Sequence, residues 1–212
     1  MDKVTQFTVK VNQNASFSSD LSGEKFQHQQ FTDFSIHKKV IKDCDFSFAF
    51  FQRVYFRDVK FINCNFTGAK FFDSNLCDAE FENCRFNYAV FKFTIIRSKQ
   101  VLNNLPEWAN VRIYLLQNHK ANANSLGDTK AVRDYLLEEI DSNKEHFRNA
   151  RKRSDWYHAT KYKGFWIRCD IYWKSFVLYL DNLLWGHGES PWKIARNVVI
   201  TILFLSIYPN LI

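Results

Sequence analysis

From Phe46 onward a large apolar residue returns at every fifth position: Phe46, Phe51, Phe56, Phe61, Phe66, Phe71, Leu76, Phe81, Phe86 and Phe91. Two places before each stands a small residue, in the order Cys44, Ala49, Val54, Val59, Cys64, Ala69, Ser74, Ala79, Cys84 and Ala89. An α-helix repeats at 3.6 and a strand at 2, so neither gathers this series on one side. A chain that winds in five-residue sides does, and the pattern is an internal repeat. A longer period supports the winding. Cys44, Cys64 and Cys84 stand twenty apart, as do Ala49, Ala69 and Ala89, so four sides to a coil would stack like on like.

Segments such as Cys64-Asn65-Phe66-Thr67-Gly68, Ala69-Lys70-Phe71-Phe72-Asp73 and Ala79-Glu80-Phe81-Glu82-Asn83 resemble pentapeptide repeats. The resemblance implies a mainly β repeat, a right-handed quadrilateral β-helix, followed by an α-helical C-terminal region. Four segments are expected. Residues 1–20 form an N-terminal strand and cap, because Thr5, Phe7, Val9 and Val11 alternate with polar neighbours. Residues 21–101 form the β-helix. Its first coils, at Leu21, Phe26, Phe31, Ile36 and Ile41, are expected to be irregular, since Glu24, Gln29, Phe34 and Lys39 interrupt the small column. Residues 102–190 are helical, and 191–212 form an apolar terminal helix that reads as a possible membrane anchor.

After Val101 the beat stops. Pro106 and Glu107 open a helix through Leu116, and the polar run from Asn118 to Asp128 reads as a linker or surface loop. Asp128 or Thr129 then caps a long helix whose seam is Val132, Leu136, Ile140 and Phe147. Its other side carries Arg148, Arg151, Lys152 and Arg153, either a solvated face or a contact for a polyanion. Residues 164–185 are rich in aromatics but interrupted by Arg168, Asp170, Lys174 and Asp181, which suits an amphipathic helix and not a membrane span. The uncharged run from Asn197 to Ile212 is shorter than a bilayer core, and Pro209 and Asn210 shorten its apolar part further. Trp192, Lys193 and Arg196 would be its membrane-proximal residues. The segment from Asp181 to Trp192, with Gly186-His187-Gly188-Glu189-Ser190-Pro191 at its centre, is similar to the junction that precedes membrane helices, sometimes of ion channels, in bacterial pentapeptide-repeat proteins. His187 stands where that junction has Tyr, and no Thr-Val-Gly-Tyr-Gly filter segment is present.

Composition narrows the function. A hydrophobic content of 46%, with Phe alone at 22, excludes disorder and supplies a core. The net charge of +7 is spread along the chain, so nucleic acid is not the expected partner. Five cysteines without a Cys-x-x-Cys give no disulfide or zinc framework, and Cys44, Cys64 and Cys84 read as small buried hydrophobes of a reducing cytoplasm. Met1 to Lys10 lack the apolar stretch of a signal peptide. No Walker loop, dinucleotide fingerprint, His-Glu-x-x-His or nucleophile elbow occurs, and no cofactor or metal is implied. His158, Cys169, Asp155 and Asp170 make a triad only on paper.

The outer surface of the repeats holds the candidate site. Phe50, Phe72, Val90 and Phe93 face outward from one side, with Phe48 and Tyr88 at the neighbouring corner. Either the chain's own C-terminal helices cover this apolar patch, or it docks a protein partner or a second copy. The expected function is a non-catalytic protein-interaction scaffold held by its C-terminal helices at the cytoplasmic face of a bacterial inner membrane. The alternative is a soluble cytoplasmic protein that engages a topoisomerase by DNA mimicry, as some pentapeptide-repeat proteins do with DNA gyrase. Mimicry needs an acidic surface, whereas acidic and basic residues balance between Lys42 and Phe93.

Overall fold

A chain that must bury one residue in five can do so by turning a corner at each repeat, and the computed structural model shows this winding. It describes residues 11–13, 17, 19–188 and 190–207. In chain order the strands are β1 (Val11–Gln13), β2 (Leu21–Ser22), β3 (Gln30–Thr32), β4 (Ser35–His37), β5 (Val40–Lys42) and β6 (Phe50–Gln52). They continue with β7 (Tyr55–Arg57), β8 (Lys60–Ile62), β9 (Lys70–Phe72), β10 (Glu80–Glu82) and β11 (Val90–Lys92). All pair in parallel. One wall runs β1-β3-β6-β9-β11, a second β2-β5-β8-β10 and a third β4-β7. The fourth is a row of single bridges from Lys25 through Asp45 and Asn65 to Arg85. From β2 onward the strand partners are twenty residues apart, as Phe51 with Phe71 and Phe61 with Phe81, which makes four sides per coil of a right-handed quadrilateral β-helix.

Both columns predicted from the five-residue beat are buried along their whole length. Like rings stack between coils: Phe51 on Phe71 at 4.5 Å, Phe46 on Phe66 at 5.1 Å and Phe61 on Phe81 at 5.1 Å. Each buried Phe contributes roughly 1.5–3 kcal/mol by leaving water. The small column admits polar hydrogens because a carbonyl lies within reach. The Ser74 hydroxyl donates to Phe72 O at 2.7 Å, the Thr94 hydroxyl to Lys92 O at 3.1 Å and the Cys44 thiol to Lys42 O at 3.2 Å. Burial also pushes the Cys44 thiol up, away from reactive thiolate.

The first full coil is more regular than expected. Phe31, Ile36 and Ile41 are buried in register, and Phe34, which breaks the small column, packs edge-on to Phe31 at 5.2 Å. Of the expected N-terminal strand, Val11 begins β1 and pairs beside β3. Thr5, Phe7 and Val9 lie outside the described residues.

The far end of the β-helix is closed by side-chain carboxamides. After the last coil come α1 (Ser98–Leu102), α2 (Ala109–Ser125) and α3 (Thr129–Lys152). Four amides at the open edge, which a further coil would have satisfied, are met by side chains. Gln100 Oε1 accepts from Phe81 N at 3.0 Å, Asn104 Oδ1 from Cys84 N at 2.8 Å and Asn118 Oδ1 from Phe91 N at 2.7 Å. Asn122 accepts from Thr94 N at 3.0 Å and donates to Thr94 O at 2.7 Å. This corrects the loop reading of the run from Asn118 to Asp128: α2 extends to Ser125, because its asparagines cap the sheet edge. Asp128 caps α3 as expected, accepting from Ala131 N at 2.9 Å. The buried stripe of α3, however, is Ala131, Tyr135, Glu139 and Ser142, one position away from the expected apolar seam. Glu139 is held there by Lys120 and by Gln117, whose side-chain amide donates at 2.8 Å.

The chain divides after Asn143 into two compact units. The second contains the last turns of α3, then α4 (Trp156–Lys161), α5 (Phe165–Leu184), a 3-10 turn at Gly186–Gly188, and α6 (Pro191–Ile207). Among the described residues no helix is long and apolar enough to cross a membrane. α6 has 17 residues. At 1.5 Å each they rise about 25 Å, against a hydrocarbon core of about 30 Å. The membrane-crossing anchor expected at residues 191–212 is therefore not supported; Pro209 and Asn210 lie outside the described residues.

Candidate functional site

At the corners of the β-helix the backbone turns through positive φ, two residues after the buried apolar position. Asp43, Asp58, Asn63, Asp73 and Asn83 occupy such corners, and Gly23 and Gly68 two more. These residues suit the left-handed region, where Asp and Asn bond locally and Gly has no Cβ to clash. Phe48, Tyr88 and Phe93 suit it less, as do Lys38 and Arg53; the three aromatics hold φ of 58°, 57° and 49°. They are also 56%, 52% and 49% exposed. The turn at Phe48 is closed by Ala49 N donating to Phe46 O at 3.1 Å, and its third residue is where Gly or Asn is preferred.

The wall β3-β6-β9-β11 lies between these two corner columns. Phe50, Phe72 and Val90 stand half-buried on its outer side, with Phe50 and Phe72 edge-to-face at 5.3 Å. Phe48 and Tyr88 border the wall where the chain enters it, and Phe93 borders it where the chain leaves. The structure thus brings the six predicted patch residues to one wall and its edges. Two contributors were not foreseen. His28 stacks on Phe48 at 5.1 Å, and Tyr114 from α2 extends the column beside Tyr88 at 5.9 Å. His28 was legible as the residue twenty before Phe48; Tyr114 was not, because only the tertiary fold lays α2 across the coil end. Gly68 makes the column possible, since a Cβ there would sit 2.6 Å from Phe48 Cδ1.

The predicted membrane-proximal residues divide. Trp192 is exposed. Lys193 Nζ donates to Asn182 O at 2.8 Å and Arg196 Nη2 to Leu183 O at 2.9 Å, so both cations close the C-terminal carbonyls of α5.

The paper triad does not assemble. His158 is buried, with Nδ1 2.7 Å from Asp155 Oδ2 and Nε2 3.3 Å from His146 Nδ1. His146 Nε2 reaches Tyr162 Oη at 2.9 Å. Asp155 is held below the usual carboxylate range, first by the His158 backbone N–H it accepts as cap of α4 and then by the His158 ring. Burial, reinforced by His158 and Lys161, lowers His146. Cys169 is exposed on α5, and Asp170 pairs with Lys174 at 2.7 Å. The Asp155-His158-His146-Tyr162 chain ties α4 to α3 and includes no serine or cysteine. Among the described residues no group of His, Cys, Asp or Glu is placed to hold a metal ion.

Walls of parallel three-residue strands, turned at every fifth residue around stacked Phe, define a quadrilateral β-solenoid. Residues 41–76 and 64–98 match, in eight copies, the family described as Pentapeptide repeats. That stretch is therefore built of pentapeptide repeats, and residues beyond 98 lie outside the match. Among solved structures it is similar to HetL, a pentapeptide repeat protein involved in heterocyst differentiation regulation from the cyanobacterium Nostoc. That similarity has 7% identity and a TM-score of 0.34, covering 40% of this chain and 34% of HetL. It is also similar to QnrB1, a plasmid-mediated fluoroquinolone resistance protein, at 17% identity and a TM-score of 0.18, covering 37% of this chain and 57% of QnrB1. The chain thus spans about a third of the first and little over half of the second. No curated protein matches it.

Proposed function

We propose that the chain is a non-catalytic interaction scaffold whose β-helix presents the Phe48, Phe50, Phe72, Tyr88, Val90 and Phe93 wall to a protein partner or a second copy. The observation that carries this reading is the exposure of Phe48, Tyr88 and Phe93, each about half in water at a corner where other coils place Asp, Asn or Gly. Aromatic anchors on a rigid wall are what protein hot spots use. The helices α5 and α6 hold the scaffold at the cytoplasmic face of a membrane, lying in the interface. They expose Trp166, Trp173, Phe176, Trp192, Leu203 and Phe204 beside Arg168 and Lys174, a composition that suits interfacial docking without a span. DNA mimicry has less support, because the outer columns pair Arg53 with Asp33 at 2.5 Å and Lys60 with Glu82 at 2.6 Å.

The test is photocrosslinking with benzoylphenylalanine placed at position 48 or 93, and at Arg57 on another wall, in the full chain. Adducts should form at 48 and 93, and Phe72→Asp should abolish them while leaving the melting temperature nearly unchanged. Phe66→Asp, which puts an unpaired charge in the stack, should unfold the β-helix. Equal labelling of both walls, or equal melting of the two Asp variants, would sink the assignment of the face.

A further inference from the structure

The wall that carries the aromatic patch differs in charge from its neighbour. Its strands β1, β3, β6, β9 and β11 hold no Asp or Glu, and their only charged residues are Lys70 and Lys92. The wall β2-β5-β8-β10 mixes signs, with Lys42 and Lys60 against Glu80 and Glu82, and Lys60 pairs with Glu82 at 2.6 Å. Lys70 and Lys92 are both exposed, and among the described residues neither forms an ion pair. The acids at the corner where the chain leaves the wall are engaged. Asp33 pairs with Arg53 at 2.5 Å, and Asp73 adds its charge to the same guanidinium. Helix α2, whose Asn118 caps β11 at the end of the wall, has no acidic residue either.

Register fixes how the lysines lie among the apolar side chains. Lys70 stands beside Val90 and Lys92 beside Phe72, so the two cations are diagonal on the outer face and Phe72 and Val90 fill the other diagonal. Strand rise and strand spacing place the two lysine backbones about 8 Å apart. Phe50 stands next to Lys70 on the preceding coil, edge-to-face with Phe72 at 5.3 Å. Lys92 Nζ lies 5.6 Å from the centre of the Phe93 ring.

We propose that the occupant of this wall is an acidic segment of a different protein, in which an aromatic or aliphatic side chain is flanked by carboxylates that meet Lys70 and Lys92. The inference rests on the reading of this wall as the docking face. Charge chooses among the occupants. A two-fold pairing of copies sets the same wall against itself. Four lysines would then share one interface with no carboxylate on the strands of either wall, and like charges across an interface are costly. An acidic partner meets two cations that lack a carboxylate, and the surrounding rings strengthen the attraction by excluding water.

The experiment pans a displayed library of random short peptides on the immobilised full chain and measures the enriched peptides by fluorescence anisotropy. Binding is compared for wild type, Lys70→Glu/Lys92→Glu, Phe48→Ala/Phe93→Ala, and Lys25→Glu/Arg57→Glu as a charge-matched control on other walls. All the substituted residues are exposed, and circular dichroism checks each fold. Enriched peptides should be net negative with at least one large apolar residue. Lys70→Glu/Lys92→Glu should weaken them at least about tenfold, since two exposed ion pairs are lost and two like-charge contacts appear, while the control stays within about twofold. Added salt should weaken wild type. Equal losses in the two charge reversals would reduce the effect to net charge and overturn the inference. Neutral peptides lost in Phe48→Ala/Phe93→Ala but kept in Lys70→Glu/Lys92→Glu would overturn the acidic partner and leave the docking wall standing. Peptides indifferent to both pairs of wall substitutions, or no enriched peptide, would overturn the wall itself. Displacement of the peptides by phosphatidylglycerol vesicles would make a lipid surface the occupant. A wild-type dimer in analytical ultracentrifugation that Phe48→Ala/Phe93→Ala dissociates would make it a second copy, and either result overturns the acidic segment.

Discussion

Acid should loosen the end of the β-helix through His119. This residue of α2 is fully buried between the Phe91 ring at 4.2 Å and the Tyr135 ring at 5.3 Å, and neither of its ring nitrogens has a hydrogen-bond partner. Burial favours the neutral imidazole and pushes its pKa down to about 3 from an ordinary 6.5. The folded value is the lower one, so the unfolded chain binds the proton first. The stability that rests on neutral His119 is therefore complete above about pH 6.5 and is lost as pH falls toward about 3. Each unit in that window costs about 1.4 kcal/mol, and between pH 7 and pH 5 the loss is about 2 kcal/mol. Domains are stable by only about 5–15 kcal/mol, so the loss is measurable. The assay is urea unfolding of wild type and His119→Phe at both pH values, followed by the β signal in circular dichroism. Groups common to the two proteins, such as His146, cancel in the difference. His119→Phe should be at least as stable at pH 7, since it removes two unpartnered nitrogens, and its advantage should widen by about 2 kcal/mol at pH 5. Parallel curves would show that His119 is not held neutral, and the account of the capped end would fail with it.

The carboxamide cap makes a second prediction. Asn122→Ala strands both the N–H and the carbonyl of buried Thr94 and should cost roughly 2–5 kcal/mol, with faster amide exchange at Thr94; a loss below about 0.5 kcal/mol would mean that the sheet edge needs no cap. At Gly68, with φ of 68°, alanine should cost about 1–3 kcal/mol through the strained backbone and the displaced Phe48 ring. In a Phe48→Ala background the steric part should vanish, so a double-mutant cycle with no coupling would refute the packing of Phe48 over Gly68.

How much was readable in advance depends on how far apart the interacting residues lie. In a β-helix a residue meets its own corner neighbours and the residue twenty away, so Phe46 to Phe91 and the small column declared their burial through spacing alone. The same spacing placed Phe48 and Tyr88 at a corner and Phe93 on the adjoining side; that Phe93 also sits at a corner, in the positions that Asp43, Asn63, Asp73 and Asn83 fill in other coils, came with the structure. That these corners hold positive φ, and that the large side chains are therefore strained, came only with the structure. The run from Asn118 to Asp128 was misread because asparagine is a poor helix former by local measure. Its amides are needed by Phe91 and Thr94, and that demand exists only once the last coil ends against α2. Short-range repetition therefore determined the core and the outward wall, while the cap and the buried His119 waited for helices to meet surfaces that their own sequences do not describe.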